Sequence, residues 1–213
     1  MSEVIKLFSL QISLVAVVLV LHTYLGLHII RRTLIFSDLV LDQLAAFGAL
    51  LGVGIYTKYA FSDSNALAGL AVHFKYASVG SYIIALVAVL FGSLLLALLK
   101  PKTRAIPREA VIGILYAMAL VISLLLTDKL PDAGTYVTTT LSGSLLWVTW
   151  PLVSTTAAVY IILLIFHYIF RDTFITLAEK PQKLKNEKLW DFLFFTTQGI
   201  ITVLIVPIAG VLL

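Results

Sequence analysis

LFSLQISLVAVVLVLHTYLGLHII, Leu7 to Ile30, holds no charged side chain and stops at the pair Arg31-Arg32. A helix crossing the ~30 Å hydrocarbon layer of a bilayer uses about 20 residues, so this run is long enough to span. Only one lysine, Lys6, precedes it, no A-x-A-like cleavage site ends it, and it outruns a signal-peptide core. It reads as a mature span. The rest of the chain has the same character: 61% of the 213 residues are hydrophobic, 12% are charged, and mean hydropathy is +1.05. Soluble domains are about half apolar and roughly a quarter charged, so water is not the solvent of most of this surface. The length holds roughly six spans and little else. The expected architecture is all-α and polytopic, a single transmembrane domain over residues 1–213 with about six transmembrane helices.

Five further apolar stretches follow the first. They run from about Thr33 to Tyr59, Tyr76 to Leu99, Ala110 to Thr127, Leu145 to Phe170 and Leu189 to Leu213. Lys100-Pro101 ends the third, because proline removes a helical donor and restricts the residue before it. A turn-rich segment, Asp128 to Gly143 with Pro131 and Gly134, separates the fourth from the fifth.

Basic residues alternate along the connecting segments. Of the 15 Lys and Arg, Arg31, Arg32, Lys100, Lys102, Arg104, Arg108, Arg171, Lys180, Lys183, Lys185 and Lys188 fall on one set of flanks. Only Lys6, Lys58, Lys75 and Lys129 fall on the other. Lys and Arg concentrate on cytoplasmic flanks, so the first set is expected inside. Both termini and the Lys58 to Lys75 and Asp128 to Gly143 loops are then expected outside. In such a chain the formal charge of +4 is a matter of topology and does not point to nucleic acid. There is no cysteine, which excludes disulfides and thiolate metal sites; metal chemistry here uses oxygen or imidazole.

Ionisable groups inside a span cost several kcal/mol at its centre, which makes Asp38 and Asp42 the most informative residues. Four apart, they share one helix face, and with Gln43 they offer the oxygen donors that hard divalent cations accept. The competing reading is structural: both lie in the first turns of their helix, where acidic groups are favoured and Ser37 or Asp38 can cap it. Among the histidines, His22 and His28 project from the first span about 120° apart. His28 is expected at the interface beside the arginines, His73 in an outer loop, and His167 near the inner end of the fifth span. A lone histidine near an interface is more often a hydrogen-bonded snorkelling group than a ligand. No H-E-x-x-H, G-x-S-x-G or Walker pattern occurs, so ATP use falls to a separate subunit, and a membrane enzyme ranks last among the readings.

The inner segment Arg171 to Lys188, RDTFITLAEKPQKLKNEK, is the longest polar stretch assigned to the cytoplasm. Asp172 to Glu179 reads as a short amphipathic helix with Phe174, Leu177 and Ala178 near one side and Pro181 ending it. Such a helix can fit a groove on a cytoplasmic partner, but on the pattern alone a solvated linker whose lysines fix topology is the leading reading.

Three blocks, taken in order, resemble the zinc and manganese ABC transporter permeases, as a divergent branch. They are GLHIIRRTLIFSDLVLDQLAAFGALLG (Gly26 to Gly52), REAVIGILYAMAL (Arg108 to Leu120) followed by LSGSLLWVTW (Leu141 to Trp150), and FRDTFITLAE (Phe170 to Glu179). The resemblance implies a permease subunit in the bacterial cytoplasmic membrane, a homodimer embedded in lipid. A cytoplasmic ABC ATPase would drive it and an extracytoplasmic metal-binding protein would feed it. A divalent metal ion (manganese, zinc or iron) would be transported substrate, with no permanently bound cofactor. It places Asp38, with Asp42 and Gln43, on the ion pathway, and Asp172, Phe174, Leu177, Ala178 and Glu179 in the segment that couples to the ATPase. Where the family carries a histidine four residues after its aspartate, Asp42 stands here, and an all-oxygen pair favours manganese or another hard cation over zinc. Family members continue with roughly two more spans, so Gly210 to Leu213 is expected to be the end of a fragment or of a shortened relative. The reading from another class is a non-transporting membrane scaffold or assembly protein.

Overall fold

The computed structural model describes residues 2–60, 66–99, 106–129 and 149–209. Its elements are α1 (Ser2–Arg31), α2 (Phe36–Ala60), α3 (Ala66–Leu98), α4 (Arg108–Thr127), α5 (Trp150–Ile169), α6 (Arg171–Glu179), a 3₁₀ turn (Pro181–Lys183) and α7 (Glu187–Ala209). No strand occurs among the described residues. Five stretches are long and apolar enough to cross a membrane: Phe8–Arg31, Val79–Leu98, Arg108–Thr127, Trp150–Ile169 and Glu187–Val206. The protein is therefore an all-α, multi-pass membrane protein. The remaining long helix, α2, carries Asp38 and Asp42 and is not one of the five. It packs on α3, α4 and α7, while α1 leans chiefly on α5.

Two boundaries differ from expectation. The outer loop expected between Lys58 and Lys75 is mostly helix, because α2 runs to Ala60 and α3 begins at Ala66. At 33 residues α3 is about 50 Å long at 1.5 Å per residue, so it begins well before the expected start at about Tyr76. The segment around Pro131 and Gly134 and the last residues after Ala209 lie outside the described residues.

Small residues let α2 and α3 approach closely. A Cβ placed on Gly48 would lie 2.6 Å from the Ala85 Cα, and one on Gly52 would lie 2.5 Å from the Ser81 Cα. Packing of this kind drives association where lipid removes the hydrophobic incentive. Apolar side chains on the outer faces of α1, α4 and α5, including Leu19, Ile30, Met118, Leu125, Ile162 and Ile165, are exposed. A surface of that kind is a liability in water and at home in hydrocarbon.

At one end of the bundle a buried ion cluster joins four segments. Asp191, in the first turns of α7, is fully buried and accepts hydrogen bonds from Arg32, after α1, and from Arg108, the first residue of α4, at 3.4 Å. Arg108 also donates to the carbonyl of Leu96 at 2.6 Å, taking one of the orphan acceptors of the last turn of α3. The Arg32 guanidinium lies 5.0 Å from the Phe194 ring and that of Arg108 lies 5.5 Å from Phe195, so both cations also meet aromatic faces. Glu109 Oε1 accepts the Phe36 N–H at 2.7 Å and so caps α2 from α4. The turn between α1 and α2 holds Thr33 at φ 51. Leu34 N–H bonds back to Ile29 and Thr33 N–H to Ile30, a Schellman closure that here uses a threonine in the left-handed region.

The convergence of Arg31, Arg32, Arg108 and Glu187 at this end agrees with the charge alternation along the chain. Cysteines introduced singly at Lys129 and at Asp172, both highly exposed, are expected to react with a membrane-impermeant maleimide from opposite sides; labelling from one side would reject this topology. Removing the Asp191 carboxylate takes the ion-pair partner from a buried guanidinium, Arg32, and from the partly buried Arg108, and breaking a buried pair typically costs ~3–5 kcal/mol. Asp191→Ala is expected to lower the melting temperature in detergent sharply, and Asp128→Ala, at an exposed carboxylate, to leave it unchanged.

Candidate functional site

Asp38 sits in the first turn of α2, but it does not cap that helix. The Phe36 N–H is taken by Glu109, and Ser37 donates its hydroxyl back to the Leu34 carbonyl at 2.6 Å. Among the described residues Asp38 forms no ion pair with Lys or Arg. It lines a small cavity of about 50 Å³ together with His22, Leu25, Gly26 and Ile29 of α1 and Gln198 and Ile201 of α7. A cavity of that size holds one or two waters.

Three polar groups therefore face one space from three helices. His22 and Tyr160 are both within electrostatic reach of Asp38. The His22 Nδ1 is 3.1 Å from the Val18 carbonyl and 3.4 Å from the Tyr160 hydroxyl, and its ring stacks on Tyr160 with centroids 5.9 Å apart. Gln198 is 2% exposed, and its Oε1 is buried without a hydrogen-bond partner.

Asp42 lies one turn further along α2, close enough to Asp38 for their charges to interact, with Thr202 of α7 near its carboxylate. It does not line the cavity. Gln43 is buried, but its position about 100° around the helix from Asp42 turns it from the aspartate face, and it is not a cavity residue either. Among the described residues no three His, Cys, Asp or Glu side chains gather into a metal-holding group.

The other histidines separate by environment. His28, expected at the interface, is buried, and so is His167. His167 stacks on Phe174 at 4.2 Å and meets Tyr24 edge-on at 5.3 Å, while Tyr24 lies 4.7 Å from His28. These rings fill one end of the bundle, and burial wins there because α6 folds over them. His73 falls on α3 rather than in a loop, and its side chain lies outside the described residues.

The helix expected over Asp172 to Glu179 is α6, with the 3₁₀ turn starting at Pro181. Its orientation corrects the expected contact. Phe174 and Leu177 are 1% and 2% exposed, and Phe174 is packed on His167, Phe166, Trp190 and Phe194. The apolar side thus closes this protein's own bundle and is not offered to a partner, and Ala178 is half-buried beside it. The free side presents Asp172, Ile175 and Glu179, with Glu179 3.6 Å from Arg31.

Residues 45–213 match the ABC 3 transport family. The chain belongs to that family. The match takes in the later blocks, Arg108 to Leu120 with Leu141 to Trp150 and Phe170 to Glu179, and only the end of Gly26 to Gly52; Asp38 and His22 precede it. The resemblance to metal-ion ABC permeases thus holds, and the protein is a multi-pass membrane transport component. No curated protein matches. Among solved structures, PsaBC from Streptococcus pneumoniae, in complex with a Fab, has the same fold: TM-score 0.63, 16% identity, covering 97% of this chain and 67% of that one.

Sequence reasoning passed over Gln198 and Asp191 and placed His22 among background histidines. Asp191 carried a usable signal, an ionisable group within the sixth apolar stretch. Gln198 carried none, since its role depends on which helix α7 faces.

The burial of α6 makes a graded prediction. Phe174→Ala opens a core cavity and is expected to cost ~3–5 kcal/mol, visible as loss of monodisperse protein in detergent. Ile175→Asp, on the exposed side, is expected to leave the melting temperature unchanged and to weaken recovery of a co-expressed ATPase, as removal of an interface anchor costs ~2 kcal/mol or more. Full recovery with Ile175→Asp would remove α6 from that contact.

Proposed function

We propose that this chain is the membrane-spanning permease subunit of an ABC importer that moves a divalent metal ion across a bacterial cytoplasmic membrane. A separate cytoplasmic ATPase drives it, an extracytoplasmic metal-binding protein delivers the ion, and two copies of the chain form the pathway. The observation that carries this reading is Asp38: a carboxylate inside an apolar bundle, at a cavity, with neither a Lys or Arg partner among the described residues nor a capping role to account for it. A group in that position is expensive in a membrane and is accounted for by a cation that passes it. Family membership supports the transport class, and the exposed side of α6, beside the basic flanks, supports the docking of an ATPase there.

Asp42 serves the same pathway one turn away, lending negative charge with Thr202 near its carboxylate. Gln43, buried on another face, supports the packing of α2. Asp38→Asn keeps the shape and removes the charge. In proteoliposomes containing the ATPase, uptake of metal is expected to fall about tenfold or more, with insertion and ATPase recovery intact. Uptake at the wild-type rate by this variant would overturn the reading.

A further inference from the structure

Asp42, one turn from Asp38, stands off the cavity. The cavity itself holds a nitrogen. The ring of His22 lines it from α1, and the ring's protonation can be assigned from geometry. A carbonyl oxygen only accepts, so the 3.1 Å contact between Nδ1 and the Val18 carbonyl calls for a proton on Nδ1, with the Tyr160 hydroxyl at the longer 3.4 Å taking the acceptor role beside it. The lone pair then belongs to Nε2. Fixing one imidazole nitrogen through a backbone carbonyl is how proteins orient a metal-binding histidine, and the stacked Tyr160 ring holds the plane. From the third side comes Gln198, nearly fully buried, with an oxygen that no hydrogen bond satisfies. A buried acceptor without a donor is costly, and a bound cation removes that cost.

Resting on the proposed permease reading, we propose that the transported ion is held by His22 Nε2 from α1, the Asp38 carboxylate from α2 and Gln198 Oε1 from α7, with water completing its shell. Three donors from three helices define the cargo. Two oxygens and one imidazole nitrogen suit a first-row divalent transition ion better than magnesium or calcium, which take all-oxygen sets, or a soft ion, which takes sulfur. The ion sits one turn away from Asp42, so its nearest nitrogen is supplied by a different helix from the one that carries the carboxylate.

The test uses the purified full chain with Mn²⁺ as probe, read by electron paramagnetic resonance for affinity and by electron spin echo modulation for ¹⁴N at the ion. Wild type is expected to show imidazole ¹⁴N coupling. His22→Gln should abolish that coupling and weaken Mn²⁺ about 10- to 100-fold. Gln198→Leu should weaken binding by a similar factor while keeping the coupling, and both variants should elute and melt as wild type does. Tyr160→Phe removes the hydroxyl but leaves the ring, and should retain the coupling. If wild type carries metal with the ATPase, yet shows no ¹⁴N coupling, or both variants bind Mn²⁺ as tightly as wild type, this ligand set is wrong and the permease reading stands. If wild type neither binds Mn²⁺ nor transports metal, the permease reading fails and takes the ligand set with it.

Discussion

Asp191 is the carboxylate on which one end of this bundle depends. Buried between Arg32 and Arg108, it fixes the exit of α1, the start of α4 and the start of α7 at one point, and through Arg108 it reaches the last turn of α3. Ion pairs in a low dielectric are held because each partner would be ruinous alone. Here the phenylalanines Phe194 and Phe195 of α7 pack against the same guanidinium groups, so charge and apolar surface are satisfied together. The position of Asp38 follows from this anchoring: the Arg32 turn delivers the chain into α2, and Glu109, adjacent to Arg108, caps that helix, leaving the aspartate free of structural duty.

Much of this was legible in the residues. The uncharged run Leu7 to Ile30, the proline at 101 and the alternating basic flanks place the long helices to within a few residues at most ends, because span length and interfacial charge are local properties of a chain in lipid. The same logic failed before Tyr76, where helix continues beyond the apolar window and hydropathy has nothing to report. It also failed on α6. The pattern showed correctly that Phe174 and Leu177 share a side, but periodicity does not say whether an apolar side faces its own bundle or a partner.

The candidate site divides in the same way. Asp38 stood out because a carboxylate in a span is rare. His22 and Gln198 did not, since each belongs to a common residue type and acquires meaning only when α1 and α7 are placed against α2. Helical geometry put Asp42 and Asp38 on one face and was right to do so; that Asp42 has Thr202 near its carboxylate depends on the register of α7, which nothing local encodes.

The glycine seam between α2 and α3 has a mechanical consequence. With backbones this near at Gly48 and Gly52, the two helices cannot slide or roll past each other without collision. On the far side of the cavity His22, Gly26 and Ile29 of α1 face Asp38 and Gln198 with no such seam between them. In the proposed permease, a movement along that boundary would draw His22 away from Asp38 and Gln198 together and loosen the grip on an ion.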